Sequence, residues 1–321
     1  METIMQWFNN SKLFDLARQG QKLTHIAAVI PLSGIFAIIA QFGLLPVILI
    51  MAAIYGYTPE GGISVQGIPN TMAGFWVGLQ LITSFGLIYV ILWAWLKWFE
   101  KRPFWTLGYK TQNILAKYGR GILIGAAMFT TAVGILALTG SLAFEQGKPA
   151  EQGIPAIAGV LLVLFGWIVQ GGAEEVLFRG WVLPVIGARY KPWIGLLVSS
   201  LIFALLHGLN PNLSVIAIVN LILFGVFAGL YAMREGSLWG ISAIHTIWNW
   251  VQGNFFGLEV SGNGAGGGTL FNLMETGADW LTGGKFGPEG GFAVTIVLAI
   301  AIALVLFWKN KEVEQEIPAL Q

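Results

Sequence analysis

Runs of apolar residues long enough to cross a bilayer follow one another along this chain, and that succession limits the fold more than any other feature. Judged by apolar length and by Gly, Pro and charge at their ends, about eight spans can be drawn, near 24–56, 72–96, 121–144, 154–188, 192–208, 213–233, 237–256 and 291–308. A helix needs roughly 20 apolar residues to cross the hydrocarbon core, where the backbone must satisfy its own hydrogen bonds. The expected fold is therefore all-α, a polytopic membrane helix bundle forming a single membrane domain over residues 1–321. Because apolar runs continue to the C-terminal end, the first is expected to remain in place and not to serve as a removable signal peptide. Composition agrees, with 56% hydrophobic and only 10% charged residues. With no cysteine, thiol nucleophiles, disulfides and thiolate metal sites are excluded, and a net charge of +1 leaves no footprint for nucleic acid.

Lysine and arginine set the expected orientation. Lys12, Arg18 and Lys22 precede the first span; Lys97, Lys101, Arg102, Lys110, Lys117 and Arg120 separate the second from the third. Arg189 and Lys191 follow the fourth span, Arg234 the sixth, and Lys309 and Lys311 the eighth, whereas the opposite loops hold only Lys148 and Lys285. The positive-inside rule then places both termini in the cytoplasm of a multi-pass plasma-membrane protein. The first and fourth spans exceed one crossing, which predicts tilt, an extra turn or a break at Pro31, Pro46 or Pro184. Residues 103–119 read either as an amphipathic surface helix or as an ordinary loop. Residues 257–290 form a Gly-rich extracytoplasmic loop with Phe271, Trp280, Leu281 and Phe286, either a cover for a membrane cavity or a flexible connector.

Against this apolar background, Gly171-Gly172-Ala173-Glu174-Glu175-Val176-Leu177-Phe178-Arg179-Gly180 places three charges inside the fourth span. A charge at the bilayer centre costs at least ~2.5–3.5 kcal/mol on insertion scales, so each needs a partner or water. Glu175 and Arg179 stand four apart on one helix face, within reach of an ion pair. Glu174, rotated by about 100°, is left over, and a surplus carboxylate is what proton chemistry needs. The bland alternative is a salt-bridge network that only holds the bundle together. Gly171 and Gly172 would let a neighbouring helix or a substrate backbone approach closely.

The chain has 3 histidines. His25 opens the first span and reads as incidental. His207 closes Phe203-Ala-Leu-Leu-His207, and His245 opens His245-Thr-Ile-Trp-Asn249, whose two ends share a helix face. At about 1.5 Å per residue from the cytoplasmic ends, Glu174 lies at about 21 Å, His207 at about 22 Å, Asn249 at about 18 Å and His245 at about 12 Å. The four residues can thus meet near mid-membrane. A Glu and a His facing one water can share its proton, while a second His and an Asn donate hydrogen bonds to the oxyanion of a tetrahedral intermediate.

In this order on successive apolar helices, Glu174-Glu175-Val-Leu-Phe-Arg179, Phe203-Ala-Leu-Leu-His207 and His245-Thr-Ile-Trp-Asn249 resemble the signature motifs of the CAAX prenyl protease and bacteriocin-processing (Abi) family of intramembrane glutamic endopeptidases. The resemblance covers about 154–256, the motif-bearing core. It implies that Glu174 is the general base and shares water activation with His207. By the same resemblance His245 and Asn249 form the oxyanion hole, while Glu175, Arg179 and Phe203 support the site. It further implies a metal-independent endopeptidase without cofactor, acting on a peptide or protein substrate with or without a lipid modification, among membrane lipid. Residue types leave three other readings open. Glu174, His207 and His245 are also a possible zinc set, although no HExxH pairing is present. Intramembrane carboxylates and histidines also mark proton-coupled carriers, although no inverted repeat is visible. A non-proteolytic scaffold or immunity and signalling protein would keep the polar cluster for stability alone.

Overall fold

The computed structural model describes residues 7–58, 62–63 and 67–308; Lys309 and Lys311 of the orientation argument lie outside the described residues. The chain is mostly helical. A short helix α1 (Lys12–Arg18) precedes α2 (Ile26–Gln41) and α3 (Leu44–Tyr55), then α4 (Asn70–Trp95) and α5 (Ile114–Leu138). Next, α6 (Ile157–Glu175) runs through a widened turn, Val176–Val182, into α7 (Leu183–Arg189), and α8 (Pro192–Leu206) and α9 (Val215–Glu235) follow. The chain continues with α10 (Trp239–Trp250), a single turn α11 (Asp279–Thr282) and α12 (Phe292–Phe307). Among the described residues, 6 continuous helical runs are long and apolar enough to cross a membrane: Ile26–Tyr55, Asn70–Glu100, Ile114–Leu138, Ile154–Arg189, Pro192–Leu209 and Val215–Glu235. The remaining two expected spans are helical but shorter. α12 has 16 residues, and α10 is polar along one face and almost wholly buried.

Departures from the expected spans have local causes. The first run breaks at Phe42-Gly43 and at neither proline; the amides of both residues bond three residues back, to Ile39 and Ala40. Gly43 lies against the Thr83 carbonyl of α4, where a Cβ has no room. The break puts Pro46 in the first turn of α3, where its missing N–H is not needed. Helix α5 starts at Ile114, not 121, and residues 142–144 are a short strand paired with Leu273–Glu275. Its early start accommodates Arg120, which bonds Glu235 at 2.6 Å instead of lying in a loop. Residues 103–119 do not form one separate surface helix, since 114–119 are the start of α5. Phe104–Leu107 is one tight turn whose Thr106 and Leu107 are buried, and Gly108 accepts a hydrogen bond from the Leu238 amide.

Close helix approach organises the bundle. α4 and α6 cross at Gly74 and Gly78 against Gly159 and Gly166; a Cβ at Gly166 would sit 2.9 Å from the Gly78 Cα. Small residues at such crossings let backbones touch and gain dispersion energy where lipid offers no hydrophobic drive. Gly171 meets α10 in the same way, with its added Cβ 2.8 Å from the Thr246 nitrogen, and Gly172 abuts the Tyr89 hydroxyl. The first contact sets α6 against α10 and the second against α4, and together they place the carboxylates of α6.

A second buried ion pair, hidden among the apparent loop charges, closes one end of the bundle. Arg102 Nε donates to Glu100 Oε2 at 2.7 Å, and both side chains are fully buried. Glu100 also accepts from Thr24 Oγ1 at 2.6 Å and Trp181 Nε1 at 2.9 Å, tying the approach to α2, the end of α4 and the widened turn together.

Candidate active site

The widened turn at Val176–Val182 begins immediately after Glu175 and ends just before Pro184. Proline has no N–H to give and its ring crowds the carbonyl four residues back, so a wider turn relieves both conflicts. Charged residues therefore sit at a distortion of α6, where the helix is wrapped by neighbours and every residue from Gln170 to Gly187 is buried.

Arg179 Nη1 donates to Glu175 Oε1 at 3.0 Å, the ion pair expected from their spacing. The same oxygen lies 2.8 Å from His245 Nδ1, so Glu175 joins α6 to α10. The Arg179 guanidinium rests on Phe203, 4.5 Å from the ring centroid, which explains what that aromatic residue does in the motif. Arg179 Nε and Nη2 and Glu175 Oε2 accept or donate no hydrogen bond within the protein. The pair is thus held by one charge-assisted bond, one histidine and a ring face.

Glu174 takes a different environment. Its Oε1 accepts from Gln170 Nε2 at 2.7 Å; Oε2 accepts no hydrogen bond from the protein and lies 3.8 Å from His245 Nε2. Gln170 in turn accepts from Asn249 Nδ2 at 2.9 Å, so one amide links Glu174 to Asn249. Sequence reasoning missed Gln170. The signal was present, since it stands one turn before Glu174 in an otherwise apolar run, in the i, i+4 relation already applied to Glu175 and Arg179. His207 sits just past α8, in the turn His207–Leu209, with Nδ1 2.8 Å from the Phe203 carbonyl oxygen. A carbonyl only accepts, so Nδ1 is the donor and carries a proton.

Glu174, Gln170, His207, His245 and Asn249 line one cavity of about 520 Å³. His207 contacts neither carboxylate directly; the cavity is what joins it to the others. Ile38, Leu81, Phe85 and Ile88 of α2 and α4 provide an apolar wall, and Val260 to Ala265 of the Gly-rich loop close another side. His25, by contrast, caps α2 by accepting from the Ala27 amide at 3.2 Å and stands apart from the site. Among the described residues no three His, Asp or Glu side chains are arranged to hold a metal ion.

Together the bundle and this cavity define a multi-pass helical membrane protein with a buried carboxylate, histidine and amide cluster. Residues 156–251, which carry all three motifs, match the family described as type II CAAX prenyl endopeptidase Rce1-like. Over 121 residues the chain is 35% identical to an uncharacterized 24.3 kDa protein of Escherichia coli, covering 36% of this chain and 54% of that protein. The chain thus spans about half the length of the curated relative it matches. No solved structure matches it.

Proposed function

We propose that the chain is an intramembrane, glutamic-type endopeptidase that hydrolyses a peptide bond of a membrane-associated protein or peptide without a metal ion. The observation that carries this reading is the asymmetry of the paired carboxylates: Glu175 is bound to Arg179 and His245, while Glu174, which lines the cavity with His207, keeps a buried oxygen without a protein donor. In this scheme Glu174 Oε2 and His207 Nε2 take a proton from water, and its oxygen attacks the scissile carbonyl carbon. The carbonyl π electrons move onto oxygen, stabilised by Asn249 Nδ2–H and His245 Nε2–H. Since His245 Nδ1 donates to the Glu175 carboxylate, its Nε2–H requires the doubly protonated ring. That charge state balances two carboxylates with Arg179 and His245. The proton held by Glu174 and His207 then passes to the leaving nitrogen, the oxyanion electrons re-form the carbonyl as the C–N bond breaks, and a carboxylic acid and an amine result, which become carboxylate and ammonium by transfer of the acid proton.

The same reading places eight crossings in the plasma membrane with both termini cytoplasmic, counting α10 and α12, and the apolar wall suits a substrate arriving from lipid, with or without a prenyl group. It takes 154–256 as the catalytic core and 257–290 as an extracytoplasmic cover. Purified protein in detergent should cleave a labelled membrane peptide, with rates lowered ~10²–10⁴-fold in Glu174→Gln and His207→Ala and unchanged by chelators. Equal rates in the parent and Glu174→Gln would refute the assignment; loss of activity on chelation would turn it toward zinc.

A further inference from the structure

At the loop end of the cavity stands a carboxylate that the hydrolysis does not use. Glu289 lines the cavity with its Oε1 accepting from Trp248 Nε1 at 3.0 Å and its Oε2 accepting from Ser261 N at 2.8 Å and Ser261 Oγ at 2.7 Å. Its backbone is anchored too, since Asn220 Nδ2 donates to the Glu289 carbonyl at 2.8 Å. Three converging donors are satisfied by a carboxylate and not by an amide, so the side chain is oriented. All three donors are neutral, and among the described residues no lysine or arginine lines this cavity. A carboxylate fixed in place without a cation is a receptor for one.

Aromatic rings complete the surroundings. Trp248 lies 6.0 Å from Phe224, which lies 5.0 Å from His245, so contacts through Trp248 and Phe224 connect Glu289 to the proposed oxyanion donors. Trp248 also directly precedes Asn249 on α10. A carboxylate in such a lining receives an ammonium or guanidinium group by charge. Beside Glu289 an anionic group would meet a carboxylate with no lysine or arginine in the lining to offset it.

We propose that this end of the cavity is a cation subsite, in which Glu289 receives the Lys or Arg side chain of a substrate peptide while the scissile bond lies at Glu174. The inference rests on the endopeptidase reading for the bond cleaved, but the subsite itself is testable by binding alone. The substrate class is thereby narrowed to membrane peptides with a basic residue near the cleaved bond, and peptides presenting a carboxylate at that position are excluded.

The test uses labelled apolar peptides in detergent, identical except for one position occupied by Lys, norleucine or Glu, with that position moved along the peptide. At one position the parent protein should cleave the Lys peptide on the order of tenfold faster in kcat/KM than the norleucine peptide, and the Glu peptide least. In Glu289→Gln the Lys-to-norleucine ratio should fall toward one, with thermal unfolding confirming that the variant is folded. Equal rates for Lys and norleucine at every position, in the parent, would overturn the subsite without needing any variant. So would a Lys preference that survives Glu289→Gln. If no peptide is cleaved, binding to Glu174→Gln and to the Glu174→Gln, Glu289→Gln double variant decides. A Lys preference lost only in the double variant keeps the subsite while the endopeptidase reading falls; no preference in either overturns the subsite.

Discussion

Two buried Glu–Arg pairs in this molecule share the same chemistry and differ in what surrounds them. At the bundle end, Glu100 receives Thr24, Trp181 and Arg102, and Arg102 Nη1 also donates to the Thr106 carbonyl at 3.2 Å and hydroxyl at 3.1 Å. On α6, Glu175 and Arg179 share one bond, leave three polar atoms without hydrogen bonds in the protein, and border a cavity through Glu174 and His245. Arg102 Nη2 also lacks a hydrogen bond, but the network around Glu100 is otherwise satisfied and borders no part of this cavity, whereas the pair on α6 adjoins cavity-lining residues. Burial alone therefore does not distinguish the two pairs, whereas their position relative to the cavity does.

Substitutions at the two arginines should separate these roles. Arg102→Ala leaves Glu100 buried without its cation and should destabilise the protein by about 3–5 kcal/mol, with the activity per folded molecule retained. Arg179→Ala leaves Glu175 still joined to His245, so its stability loss should be smaller, about 1–3 kcal/mol, while activity falls because His245 loses its fixed partner geometry. Thermal unfolding and peptide cleavage on the same preparations check both, and the opposite ranking would break the comparison. One step smaller, Gln170→Leu removes the amide joining Glu174 to Asn249, and cleavage should slow up to about 10²-fold from misplacement of reacting groups. A variant with unchanged kcat would show that Gln170 only fills space.

The smallest effect lies outside the bundle. Burial pushes the Glu275 carboxyl, in the short strand pair, up to about 7 from its ordinary 4.5, with the Glu259 charge adding to the rise. The folded chain then holds a proton that the unfolded chain releases, so stability should decline as pH rises from about 4.5 through 7. Glu275→Gln should flatten that decline in thermal unfolding. An unaltered pH profile would show that the strand pair does not report this carboxyl.

Much of this was legible because lipid restricts backbone so strongly: six of the expected spans are helical runs long and apolar enough to cross a membrane, and the i, i+4 relation of Glu175 and Arg179 became a bond. The break at Gly43 was not legible because its cause, the Thr83 carbonyl, comes from another helix. Arg102 and Arg120 read as loop charges, since a charge beside an apolar run looks the same whether it meets water or a buried glutamate. Pro184 predicted a disturbance of α6 but not its widened form. Gln170 was readable and was passed over because an amide carries no charge to draw notice. Glu289, in a loop that reads as a connector, needed the fold to bring it to the cavity.

The most direct test sets Glu174→Gln against Glu100→Gln, measuring peptide cleavage per folded molecule and unfolding temperature for each. The account predicts that Glu174→Gln loses activity ~10²–10⁴-fold with its stability nearly kept, while Glu100→Gln loses stability and keeps activity per folded molecule. A Glu174→Gln protein that cleaves as fast as its parent, or loses activity only by unfolding, would contradict the claim that Glu174 is the carboxylate reserved for chemistry.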